Sequence, residues 1–105
     1  MATVQQGNKQ FQGMFSEMWA VTETVDFGNA ATGSGTFASA DVTVPGVALG
    51  DMVLAVSVGV DTVDAVIKGA VTAANTVTLT LLNNTASAVD LASTTCKFVV
   101  ARPAW

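Results

Sequence analysis

A chain of 105 residues that is half apolar, carries four basic and eight acidic side chains, and lacks histidine and tyrosine has room for one core and little charge to cover it. With no histidine and one thiol, Cys96, it lacks the usual general acid–base group and any His/Cys zinc site, so the composition speaks against an enzyme and implies no cofactor and no metal. The net charge is −4 and the cations Lys9, Lys68, Lys97 and Arg102 are scattered, which speaks against a nucleic-acid partner and against an anionic membrane surface.

No apolar run reaches the roughly 18 residues that span a bilayer. The first twelve residues are polar where a signal peptide is apolar, so cytoplasmic synthesis is expected. One cysteine cannot form an internal disulfide.

Residues 1–18 read as an N-terminal arm, extended or a short helix, ahead of a β-sandwich domain over 19–105. The large apolar residues of the arm, Phe11, Met14, Phe15 and Met18, stand at i, i+3, i+4 and i+7, the spacing of one helical face. Gly7 and Gly13 make an isolated helix marginal. Such a stripe can dock on the chain's own core or on a neighbouring subunit, which makes Phe11, Met14 and Phe15 interface candidates.

From residue 19 onward valine and threonine are abundant, and apolar and polar residues alternate with the strand period of two. The first strand is expected over 19–27, with Trp19, Val21, Val25 and Phe27 facing in and Glu23 as a flaw on that apolar face. Residues 28–35, GNAATGSG, read as a loop. A strand over 36–44 follows, pointing Ala38, Ala40, Val42 and Val44 inward and Phe37 outward, and Pro45-Gly46 ends it. After a turn at Gly50-Asp51, residues 52–58 form a strand with Met52, Leu54, Val56 and Val58 on one face. Val53 and Ala55 on the other face predict that this strand is central.

A strand over 65–73 places Ile67 and Val71 inward and Lys68 and Thr72 outward, and Ala74-Asn75 is a short hairpin connection. Residues 76–82 alternate most clearly, Val77, Leu79 and Leu81 against Thr76, Thr78 and Thr80. Val89 and Leu91 predict a brief edge pairing, and the last strand, 94–102, turns Cys96, Phe98 and Val100 to the core. Six to eight short strands at this spacing predict an all-β fold, an antiparallel β-sandwich or jelly-roll-like barrel.

Trp105 closes the chain and is an interface candidate, because a large amphipathic ring anchors contacts well. Phe37 is another, as an aromatic with outward parity. Trp19 is expected in the core, and Cys96 as an inert buried thiol. Asp51, Asp61 and Asp64 are better read as solvated turn residues than as calcium ligands. Asn83-Asn84-Thr85 matches the glycosylation pattern by chance.

Four phrases carry a resemblance: TVDFGNAATGSGTFASADVTVPGVALGD at 24–51, MVLAVSV at 52–58, VTAANTVTLTLLNNT at 71–85 and AVDLAST at 88–94. In their order and spacing they resemble a β-module of small virion structural proteins of tailed bacteriophages, of the capsid decoration or cement type, a module also similar to parts of tail fibres. The resemblance implies no catalytic residues. It implies a virion component on the capsid exterior whose partners are the major capsid protein and further copies of itself, as a homotrimer by analogy. The function expected is therefore a decoration protein that oligomerises and stabilises the head by bridging capsid subunits. The alternative is a tail-fibre tip or a receptor- or carbohydrate-binding module, for which only Trp19 and Trp105 could offer a sugar-stacking ring.

Overall fold

The alternation of apolar and polar residues is realised as strands along most of the described chain. The computed structural model describes residues 3–7, 14–30, 36–62 and 64–104, and among these there is no helix. The strands are β1 (Thr3–Gly7), β2 (Phe15–Val25), β3 (Asn29–Ala30), β4 (Thr36–Thr43), β5 (Met52–Val58), β6 (Val66–Ala73), β7 (Thr76–Asn83), β8 (Val89–Asp90) and β9 (Thr94–Pro103). Seven of them are five residues or longer, within the range expected.

Two antiparallel sheets, β1-β2-β9-β5 and β4-β7-β6, pack face to face as a β-sandwich, and β3-β8 forms a small separate pair. The chain changes sheet between β2 and β4, between β4 and β5, between β5 and β6, and again between β7 and β9, so most core contacts join residues distant in sequence. The core lies between the sheets. Trp19, Val21 and Val25 of β2 and Cys96, Phe98 and Val100 of β9 meet Val42 of β4 and Val77, Leu79 and Leu81 of β7. β7 is the central strand of its sheet, which is why its inward residues are wholly buried. Each such side chain contributes about 1.5–3 kcal/mol by leaving water.

Gly69 sets the closeness of the sheets on the β5–β6 side. A Cβ there would lie 2.9 Å from Val53 Cγ1 and 3.1 Å from Leu79 Cδ2, too near for the stiff valine to yield. The missing side chain lets β5 lie directly over β6.

Three expectations need correction. First, β5 is an edge strand and not a central one, since β9 pairs it on one side and no strand pairs it on the other among the described residues. Second, Met52 and Leu54 do not share a face with Val56 and Val58. The register against β9 shifts between Val53 and Ala55, leaving Leu54 as the extra residue of a bulge, and Val53, Val56 and Val58 pack on the core instead. Third, of the two alternatives for the stretch ahead of residue 19, extended or a short helix, the described residues take the extended one, and as strands of the sandwich. Phe15 and Met18 lie in β2, which starts four residues before Trp19, and Thr3–Gly7 pairs with β2 as β1. Glu23 keeps the inward parity of Val21 and Val25, opposite Cys96, and is half-buried.

Candidate interaction surfaces

The outer face of the β4-β7-β6 sheet is built in register rows. Phe37, Leu82 and Val66 form the first row across the three strands; Ser39, Thr80 and Lys68 the second; Asp41, Thr78 and Ala70 the third. Phe37 is 64% and Val66 52% exposed, so the first row presents an apolar stripe to solvent. Beyond it, two of the threonine hydroxyls and the Asp41 carboxylate are bonded together. Thr78 donates to Asp41 Oδ1 at 2.7 Å, and the Thr72 and Thr78 hydroxyls are 2.8 Å apart.

The outer face of the other sheet is a shallow trough lined by Ala20, Thr22, Ala55, Ser57, Lys97 and Val99. Its chemistry is that of small and hydroxyl side chains with one cation. At one end of this face Ala101 is fully buried despite its outward parity, flanked by its cross-strand neighbours Met18 and Met52. At the same end the strand termini are tied together. Phe15 pairs with Pro103, and the Ala104 N–H donates to the Met14 carbonyl at 2.9 Å.

A third surface is a turn tip. Leu49 is 71% exposed, on a turn closed by two bonds between Asp51 and Ala48: the Asp51 N–H donates to the Ala48 carbonyl at 3.0 Å, and the Ala48 N–H donates to Asp51 Oδ2 at 2.9 Å. The Asp51 carboxylate is then gripped from two sides by Arg102, whose Nε and Nη2 donate to Oδ1 and Oδ2, both at 2.9 Å. Arg102 also reaches Glu17 Oε2 at 3.0 Å through Nη1 and the Gly46 carbonyl at 2.8 Å through Nη2, and it lies 5.2 Å over the Trp19 ring. Burial by itself raises the Asp51 carboxyl, but the bonds from Arg102 and Ala48 outweigh it and hold the group below its ordinary value. The bond to Asp51 correspondingly raises Arg102.

Gly46 links this cluster to the other sheet. Its carbonyl accepts from Arg102, while its N–H donates to Asn75 Oδ1 in the β6–β7 hairpin at 2.8 Å. With φ at +99° the position suits glycine, although a Cβ there would make only ordinary contact with the Trp19 ring at 3.5 Å. Leu49 is therefore an apolar side chain on a braced support.

Of the five interface candidates, Phe37 is exposed on the β4-β7-β6 face and Met14 is exposed at the strand termini, whereas Phe15 is half-buried beside Pro103. Phe11 and Trp105 lie outside the described residues. The structure thus brings Met14 and Phe15 to the end of β9 and sets Phe37 in the opposite sheet. Sequence reasoning missed Leu49, Val66 and the Arg102 cluster. Val66 was within reach, since its parity is opposite to that of Ile67; nothing local marked the other two.

Trp19 is 1% exposed, and Cys96 is a buried free thiol that burial pushes up from its ordinary value. Asn83 is buried with its amide engaged, by donation to the Ala30 and Ser87 carbonyls and acceptance from Thr85, so it is a structural residue. Among the described residues no three His, Cys, Asp or Glu side chains are grouped to hold a metal. No protein-family model matches the chain, and neither a curated protein nor a solved structure matches it significantly.

Proposed function

We propose that this chain is a bacteriophage virion structural protein, a capsid decoration protein that binds the outside of the head, associates with copies of itself and bridges neighbouring subunits of the major capsid protein. The observation that carries the reading is the clothing of both outer sheet faces in Thr, Ser and Ala, set beside exposed Phe37 and Val66 and the braced Leu49. Such faces lose little side-chain entropy when covered, and they carry few charges to desolvate. The resemblance of residues 24–94 to the decoration module points the same way. By binding only the assembled shell, the protein stabilises it through mass action.

The sugar-binding alternative is weakened by the burial of Trp19, which cannot offer its ring to a glycan. Heads assembled without the protein, titrated with the purified chain, provide the test. Saturable binding at a fixed ratio to capsid subunits and a raised head-disruption temperature are expected. Absence of binding to heads, together with retention on a glycan array, would move the assignment to a fibre tip. Truncation through residue 18 is not a clean probe, because it removes β1 and the first four residues of β2.

A further inference from the structure

We infer that the outer face of the β4-β7-β6 sheet seats a second copy of the same chain, in a two-fold, face-to-face pair whose axis runs along the strands. This inference stands on the face alone and does not depend on the virion reading.

The rows make the face self-complementary under that operation. A two-fold axis parallel to the strands carries β4 over β6 of the second copy and leaves β7 over β7. Phe37 then meets Val66 of the other copy, and Leu82 meets Leu82, so the whole apolar row is covered by itself. The same operation places Lys68 over Ser39, with Asp41 one row further along that strand. Lys68 and Asp41 are the two charges of this face, they stand on its opposite edge strands, and neither forms an ion pair among the described residues. In the pair each finds its opposite within reach of a lysine stem, twice by symmetry.

Part of the remaining polar surface is cheap to bury, because Thr78 donates to Asp41 and shares a hydrogen bond with Thr72. Three strands about 4.8 Å apart and about eight residues long give a footprint of roughly 14 by 26 Å, or on the order of 1,000 Å² of surface for the pair with side-chain relief. That is the lower bound of a specific interface, so a reversible dimer is expected.

Sedimentation velocity over a wide concentration range reads the pair directly. The wild-type chain should pass from monomer to dimer; Phe37→Ser should weaken association about tenfold or more, and Lys68→Glu by about tenfold, with Lys68→Glu/Asp41→Lys restoring it. These positions are exposed, and unchanged thermal melts confirm that the variants fold. Under mild oxidation a mixture of Phe37→Cys and Val66→Cys chains should give the mixed disulfide in preference to either homodimer, and Leu82→Cys should link to itself. A monomer at every concentration, a trimer indifferent to these substitutions, or preferential Phe37→Cys homodimers would overturn the inference.

Discussion

At its hairpin end β7 is held by a charged assembly, in which Asn75 binds Gly46, Gly46 binds Arg102, and Arg102 binds Asp51 and Glu17; at its far end it is held by the neutral amide of Asn83. The charged end joins the two sheets through a half-exposed cation: the Arg102 side chain is 33% exposed and that of Asp51 4%. The neutral end centres on the wholly buried Asn83, which joins β7 to β3 and to the more exposed 85–87 turn, where the Thr85 hydroxyl sits 2.6 Å from Asn83 Oδ1 and 2.8 Å from the Ser87 carbonyl. The difference is one of dependence on conditions. An amide keeps its bonds at any pH, whereas a carboxylate clamp exists only while its carboxyl group is ionised.

Asn83→Ala should have the largest effect. It strands the Ala30 carbonyl and the Thr85 N–H, while the Ser87 carbonyl keeps its bond from the Thr85 hydroxyl, and a loss of about 3 kcal/mol is expected by denaturant unfolding, equal at neutral and acidic pH. A cost that vanished in acid would show that the two ends are not chemically separate.

Arg102→Met should cost about 2 kcal/mol at neutral pH. That is below the 3–5 of a fully buried pair because solvent already reaches the guanidinium, but Asp51 is left buried with its ion partner gone. Here the pH dependence is the sharper measurement. The folded-state pKa of Asp51 lies below its ordinary value of 3.8, so its ionised form stabilises the fold above that value, and this contribution is lost as pH falls through the folded-state pKa. The stability gap between wild type and Arg102→Met should therefore shrink below about pH 4, the unperturbed carboxylate range. A gap that stayed constant in acid would mean that Arg102 acts mainly by packing on Trp19.

Gly46→Ala should cost about 1–2 kcal/mol. The cause is conformational, since the Trp19 ring at 3.5 Å leaves room for a methyl group while a φ of +99° does not suit an L-residue. The smallest signal concerns neither clamp: Cys96, buried between them in β9 with its thiol raised, should react with a disulfide reagent only at the rate of unfolding. Labelling of Cys96 faster than global unfolding in Arg102→Met but not in Asn83→Ala would locate the weaker end at the charged clamp.

Much of the architecture was legible in advance because one strand period decides which side of a strand is wet. β7 is the clearest instance, with Val77, Leu79 and Leu81 inward and threonines outward. The outward parity of Phe37 and the inward parity of Trp19 and Cys96 follow from the same rule. The rule fails at β5, where MVLAVSV is apolar at both parities; period two then cannot orient the strand, and the bulge at Leu54 decides. The helical spacing that includes Met14, Phe15 and Met18 misleads for another reason: pairing of Phe15–Val25 with β9 supplies a ladder that an isolated short helix cannot match.

Local order along the chain, then, was written in residue type: β-branched alternation for the strands, Pro45-Gly46 and Ala74-Asn75 for the turns, and scant charge for surfaces that suit coverage. The partners were not. Arg102 meets Asp51 from 51 residues away and Glu17 from 85, and Phe37 joins Leu82 and Val66 in one row only because β4, β7 and β6 pair in that register. A side chain's propensity is a property of its own backbone neighbourhood, whereas an ion pair or an apolar row depends on which strands the collapsed core brings side by side.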